Sequence, residues 1–263
     1  MTGEVLLAAL TLPEAARVEK RVNKALLAEH GANTPDDKKL LLDGIEELRW
    51  IASLKPAHVG GESDPARPYK EIAVLRVTLR GNGRRARLLE RIHRAVPHPV
   101  VLVSEGVTNE VPTRMCLWHK KPGRAEGEVL LDGERVAVEW EAVGQAGVTD
   151  TAAAADTAHD ASFLGALGFG RTSPRSLVEV LEGWMDAVFA LQVARRTGSF
   201  TLPAEAAAGR ARREGLAHLL RLDAELTRLN TAIGRERQLA RSVDLTTARQ
   251  RALAARAHLL ATL

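Results

Sequence analysis

The lone cysteine and the eight histidines of this 263-residue chain are the first candidates for chemistry. Cys116 has His119 three positions on, inside a stretch that reads as a strand, so the two side chains point to opposite faces. Ser104 follows an apolar run, but no glycine precedes it in the pattern of a nucleophile elbow. The histidines (30, 58, 93, 98, 119, 159, 218 and 258) include no His-x-x-x-His pair with a carboxylate partner, the spacing that a zinc site needs. Surface or capping roles suit them better. The residues therefore define no catalytic group, no metal ligand and no cofactor.

Phosphate loops and metal-dependent nuclease chemistry are the next possibilities. Gly165, Gly168 and Gly170 lie close together, but no Gly-Lys-Ser/Thr follows and no strand precedes. Gly81-Asn82-Gly83 joins a strand to a helix N-terminus. It reads as a tight turn, or as an anion site reinforced by Arg84 and Arg85. A helix followed by strands and a second helix is compatible with a restriction-endonuclease-like core. That chemistry needs clustered acids and a lysine around Mg²⁺. Residues 75–80 should carry the acid-x-Lys pair and hold no carboxylate. Asp43, Glu46, Glu47 and Glu71 remain, with nothing in the spacing to gather them.

Arginine carries the strongest signal. Arg84, Arg87, Arg91 and Arg94 recur at spacings of 3 or 4 and share one helix face. Such a stripe neutralises phosphates without reading sequence, and it also suits a plain solvated face. A second basic stretch includes Arg210, Arg212, Arg213, Arg221, Arg228, Arg235, Arg237, Arg241, Arg249, Arg251 and Arg256. Within it Leu219, Leu222, Leu226, Leu229 and Ile233 form a heptad seam spaced 3, 4, 3, 4. The seam serves either an internal hairpin or a docking surface for a partner helix or nucleic acid.

The elements that must position these residues follow from pattern. Residues 12–30 read as a helix, with Thr11 as cap and Pro13 in the first turn. Thr34-Pro35-Asp36-Asp37 starts a second helix, with Leu40, Leu41, Ile45 and Leu48 as its apolar face. Strands are expected at 50–54, 71–80, 100–103 and 115–119, with an Arg-rich helix over 84–96. Residues 128–140 read as a hairpin turning at Asp132-Gly133. The expected fold is α+β: a mixed sheet of about five strands with N-terminal helices, then a C-terminal α-helical hairpin. The domain boundaries are 1–143 for the α+β domain, 144–175 for a Gly/Ala/Thr-rich linker with Phe163, Leu164, Leu167 and Phe169 as residues to dock part of it, and 176–263 for the helical region. Ser176 caps the helix to about 196, and residues 242–246 break the hairpin.

Composition narrows the class. Hydrophobic residues reach 45% but aromatics only 3%, so the core is aliphatic and rich in alanine. Net charge is +4, unevenly placed. No window approaches the roughly 18 consecutive apolar residues of a membrane span. Glu4 stands where a signal peptide would be positive. One cysteine cannot form an internal disulfide, which suits a reducing compartment. A cytoplasmic protein without membrane association is expected.

Several segments carry a resemblance. They are Arg21-Val22-Asn23-Lys24, Asp37-Lys38-Lys39-Leu40, residues 45–50, Leu54-Lys55-Pro56, residues 71–79, residues 92–103, Glu139-Trp140 and residues 235–245. In this order they resemble a bacterial family of unknown function encoded beside Swi/Snf-type helicases and DNA methyltransferases, in phage-defence or restriction-modification islands. The resemblance implies a small α+β protein with a charged helical C-terminus, acting as an accessory subunit of a helicase-containing defence assembly. Members often carry an acid where Arg76 stands and Asn where Thr246 stands. The first departure weakens a nuclease reading further. Three functions follow as expectations. The first is a non-catalytic interaction subunit that contacts a helicase or methyltransferase, and DNA as well, through basic helical surfaces. The second is a DNA-binding or degenerate nuclease component. The third is a self-associating coiled-coil protein.

Overall fold

Six strands form one mixed sheet, and their spatial order is their order along the chain. The computed structural model describes residues 1–108, 110–123, 129–140, 150–171 and 173–263. It begins with a short helix, α1 (Gly3–Ala9), and an edge strand, β1 (Arg17–Arg21). Two helices follow, α2 (Lys24–Gly31) and α3 (Pro35–Gly44), then β2 (Ile45–Leu54) and β3 (Ile72–Leu79). Helix α4 (Arg85–Ala95) leads to β4 (Val100–Gly106), β5 (Thr113–Pro122) and β6 (Val129–Trp140). The remainder is helical: α5 (Asp150–Ala166), α6 (Leu177–Thr197), α7 (Ala206–Arg235) and α8 (Leu239–Thr262). The chain divides into two compact units, Met1–Val188 and Phe189–Leu263.

Neighbouring strands are antiparallel except β3 and β4, which run parallel and are joined through α4. A parallel pair needs such a crossover, because a tight turn cannot return the chain to the same end. Alternation along β3 sends Ala73, Leu75, Val77 and Leu79 to one face, where they meet Leu41 of α3 and Leu88, Leu89 and Ile92 of α4. The fold class matches the expectation from sequence, with one more strand.

Several local expectations are corrected. Residues 12–30 are not one helix. Arg17–Arg21 pairs antiparallel with β2, and α2 begins only after Asn23, whose side chain accepts from the Ala25 N–H at 2.9 Å. Pairing along an open sheet edge outweighs weak helix propensity, and a charged strand is a sound edge because it discourages further pairing. Thr11 is not a cap; its Oγ1 accepts from the Phe169 N–H. Thr34 does cap α3, accepting from the Asp37 N–H at 3.2 Å. That helix stops at Gly44, however, and Ile45 and Leu48 belong to β2.

Asp132-Gly133 is not a hairpin turn. Residues on both sides of it pair with β5, so β6 is one strand carrying a bulge, with Gly133 at φ 67°. In the stretch expected as a linker, residues 141–149 lie outside the described residues, but Asp150–Ala166 form α5. Alanine runs favour helix, and Phe163 and Leu167 of this region are fully buried. Trp140 Nε1 donates to Asp160 of α5 at 2.8 Å, and Trp184 Nε1 donates to the Leu167 carbonyl at 2.8 Å. Contacts thus join α5 to the first unit, whose boundary falls at 188 within α6. Residues 242–246 do not break the last hairpin. The turn is Glu236–Gln238, where the Glu236 carboxylate accepts from the N–H groups of Arg237 and Gln238.

Asp37 fixes α4 against α3. It has no solvent exposure, accepts from Arg87 Nε at 2.7 Å and stands 3.4 Å from Arg91 Nε. The hydrogen bond from Arg87 and the charges of Arg91 and Arg87 hold its carboxyl below the ordinary range despite burial. A lowered carboxyl pKa adds stability that is complete above the unfolded value, about 3.9, and is lost as pH falls through the folded one. Asp37→Asn is expected to lower the urea midpoint at pH 7. The gap to wild type should narrow as pH falls below about 4. An equal gap at pH 7 and pH 3 would assign the effect to packing instead.

Candidate functional site

The α4 arginines are mostly committed within the first unit. Arg84 caps α4 in the left-handed conformation and lies 3.7 Å from Asp36. Arg87 and Arg91 share Asp37, and Arg94 bonds Glu90 at 2.9 Å one turn away. Arg85 is withdrawn from the surface altogether. Its guanidinium donates to Ser104 Oγ and the Pro112 carbonyl and lies 3.3 Å from Glu139, and burial lowers its pKa. The stripe read from spacing is therefore real as a face, but each member already has a partner and Arg85 is not part of it.

Sequence reasoning missed two residues beside that face. Trp118 of β5 and Arg135 of β6 join Ala86, Arg87, Glu90 and Arg91 in lining an open groove of about 760 Å³. The β6 bulge builds it: the register shifts opposite Trp118, whose Nε1 donates to the Gly133 carbonyl at 3.0 Å. The available signal was one of only four tryptophans in an aromatic-poor chain. It was lost because 132–133 reads as a turn rather than a bulge.

Potential reactive groups are placed structurally. Cys116 is buried and its thiol is pushed up to about 12 by burial. His119 Nδ1 instead meets the Tyr69 hydroxyl at 2.9 Å. His93 is buried and held neutral, its pKa pushed down to about 3 by burial. Lys120 is buried, its pKa lowered to about 7 by that burial, and its Nζ donates to the carbonyls of His93 and Val96 at the end of α4. That geometry caps a helix C-terminus. Arg76 pairs with Glu105 on the neighbouring strand and lies 3.4 Å from Glu4, and Glu46 is bound by Arg80 at 2.6 Å. Among the described residues no group of three or more His, Cys, Asp or Glu is placed to hold a metal.

The second unit is different in kind. At one end of the α7–α8 hairpin, Val193, Leu216 and Leu219 form a small core with Phe189, Leu259, Leu260 and Leu263. Arg212 ties this end down through the Leu263 and Thr201 carbonyls. Along the predicted seam, Leu219, Leu222 and Leu226 are buried, whereas Leu229 and Ile233 are only half-buried. Beyond the turn, Leu239 is 82% and Val243 56% exposed. Arg221, Arg228, Arg235, Arg237 and Arg241 are all exposed. Arg256 is paired with Asp223 at 2.6 Å.

A mixed sheet crossed by a clamped helix, with a C-terminal helical hairpin, defines an α+β protein. Residues 10–254 match the family model described as Domain of unknown function (DUF4391), and the chain belongs to that family. No curated protein and no solved structure matches it.

The fading seam gives a stability gradient. Leu219→Ala is expected to cost about 2–5 kcal/mol in denaturant unfolding, as for a fully buried leucine. Ile233→Ala should cost clearly less. Equal costs would mean that another chain covers the turn end of the seam.

Proposed function

We propose that the protein is a non-catalytic interaction subunit of a cytoplasmic anti-phage defence assembly, with the α7–α8 arm as its main contact for a helicase or DNA methyltransferase. The observation that carries this reading is charge segregation. Residues 206–263 hold eleven arginines against five carboxylates, a formal +6, although the whole chain carries only +4. The rest of the protein is therefore slightly acidic. Exposed apolar side chains sit within this basic field: Leu220 at 47%, Leu239 at 82%, Val243 at 56% and Leu253 at 44%. Exposed apolar side chains among arginines suit an apolar groove with an acidic rim, because burial supplies affinity and complementary charge sets the register. The family resemblance supplies the class of partner. Like charge on two arms opposes their pairing, which disfavours self-association.

DNA is the second reading, favoured by the exposed Arg235, Arg237 and Arg241 around the hairpin turn. Arginine suits phosphate as well as carboxylate.

Co-expression of the operon followed by size-exclusion chromatography tests the proposal. The chain should co-elute with the neighbouring helicase or methyltransferase. Leu239→Asp combined with Arg237→Glu and Arg241→Glu should release it without altering its own unfolding midpoint. Elution of every subunit separately would sink the reading.

A further inference from the structure

The groove beside α4 has features that ordinary surface arginines lack. Arg135 has no carboxylate partner among the described residues, although it is half-buried. Arg91 is 13% exposed and its Nε lies 3.4 Å from Asp37, while its Nη1 has no hydrogen-bond acceptor among the described residues. Arg87 is spent on Asp37 through Nε alone, which holds it alongside Arg91 on one wall. Glu90 also lines the groove, and its carboxylate is paired with Arg94 at 2.9 Å. Trp118 completes the lining. Its orientation is fixed by the Nε1 bond to Gly133 and by a T-shaped contact with buried His93, ring centroids 6.0 Å apart. At about 760 Å³ the groove falls within the size range of small-ligand sites.

We infer that this groove binds a nucleotide unit of a single-stranded nucleic acid, with the phosphate held by Arg87, Arg91 and Arg135 and the base stacked on Trp118. Arginine supplies planar, forked donors that match phosphate oxygens. An indole beside such donors is the pairing by which single strands are held without sequence preference. A duplex offers the phosphates but keeps its bases stacked away from Trp118. The site lies wholly in the first unit and does not rest on the arm.

The test is fluorescence anisotropy of fluorescein-labelled (dT)12 with the full chain, titrated at several salt concentrations. Arg135→Ala should weaken binding about tenfold and flatten the salt dependence by about 0.7 in log–log slope, one phosphate contact on a single strand. Trp118→Ala should weaken binding about tenfold with the slope unchanged, and Trp118→Phe should restore most of the loss. Should Trp118→Ala fail to fold, Arg135→Ala keeps the test decisive, since it breaks no ion pair among the described residues. The Arg135→Ala effect should be the same size in a background of Arg235→Ala, Arg237→Ala and Arg241→Ala, which separates the groove from the arm. Wild-type binding by Arg135→Ala and Trp118→Ala would overturn the inference. So would equal competition by a duplex of the same length, or displacement by polyglutamate at comparable charge.

Discussion

Asp37 stands between two arginines in a place that water does not reach. A carboxylate so deeply placed is tolerable only when its charge is matched and its oxygens are bonded, and removing either partner would leave a buried charge alone. The pairing binds α3 to α4, and α4 is the crossover that makes the parallel β3–β4 register attainable. Two further polar anchors secure the same helix. Arg85 reaches Ser104, Pro112 and Glu139 near its start, and Lys120 closes its last carbonyls. Leucines and isoleucines glue α4 to the sheet, but they would tolerate sliding. The directional bonds at its start, middle and end set where it rests.

This accounts for a puzzle in the composition. An arginine stripe on a helix suggests a phosphate rail, yet much of this one faces protein carboxylates. The same clamp has a consequence at the surface. By drawing Arg87 and Arg91 together over Asp37, it builds one wall of a groove whose other members come from β5 and β6. An element that looks like a binding helix by itself thus becomes half of a concave surface.

The two units use arginine oppositely. In the first, it mostly ends ion pairs within the fold, as Arg76 does with Glu105 and Arg80 with Glu46. In the second, carboxylates are too few to match it, and the hairpin is only two helices thick. Two helices bury one narrow stripe each, so the outer faces stay wet and charged. The core at one end of the hairpin thins toward the turn, where apolar side chains are left uncovered.

The sequence by itself determined whatever depends on neighbours along the chain. The α+β class, the cap at Thr34, the strand at 72–79, the Arg-rich helix after Gly83 and the leucine seam of α7 are all encoded in spacing and turn chemistry. It could not determine what depends on pairing at a distance. Arg17–Arg21 is a strand because β2 offers an open edge, and Gly133 is a bulge because both its flanks find β5. The Ala-rich 150–166 stretch is a helix with buried anchors rather than a linker. The candidate site divides in the same way. The α4 arginines were legible as a periodic face, whereas Trp118 and Arg135 lie 24 to 51 residues beyond them and join only through strand register. Which arginines are free was equally hidden, because it is decided by carboxylates such as Asp37 that tertiary packing brings from another helix.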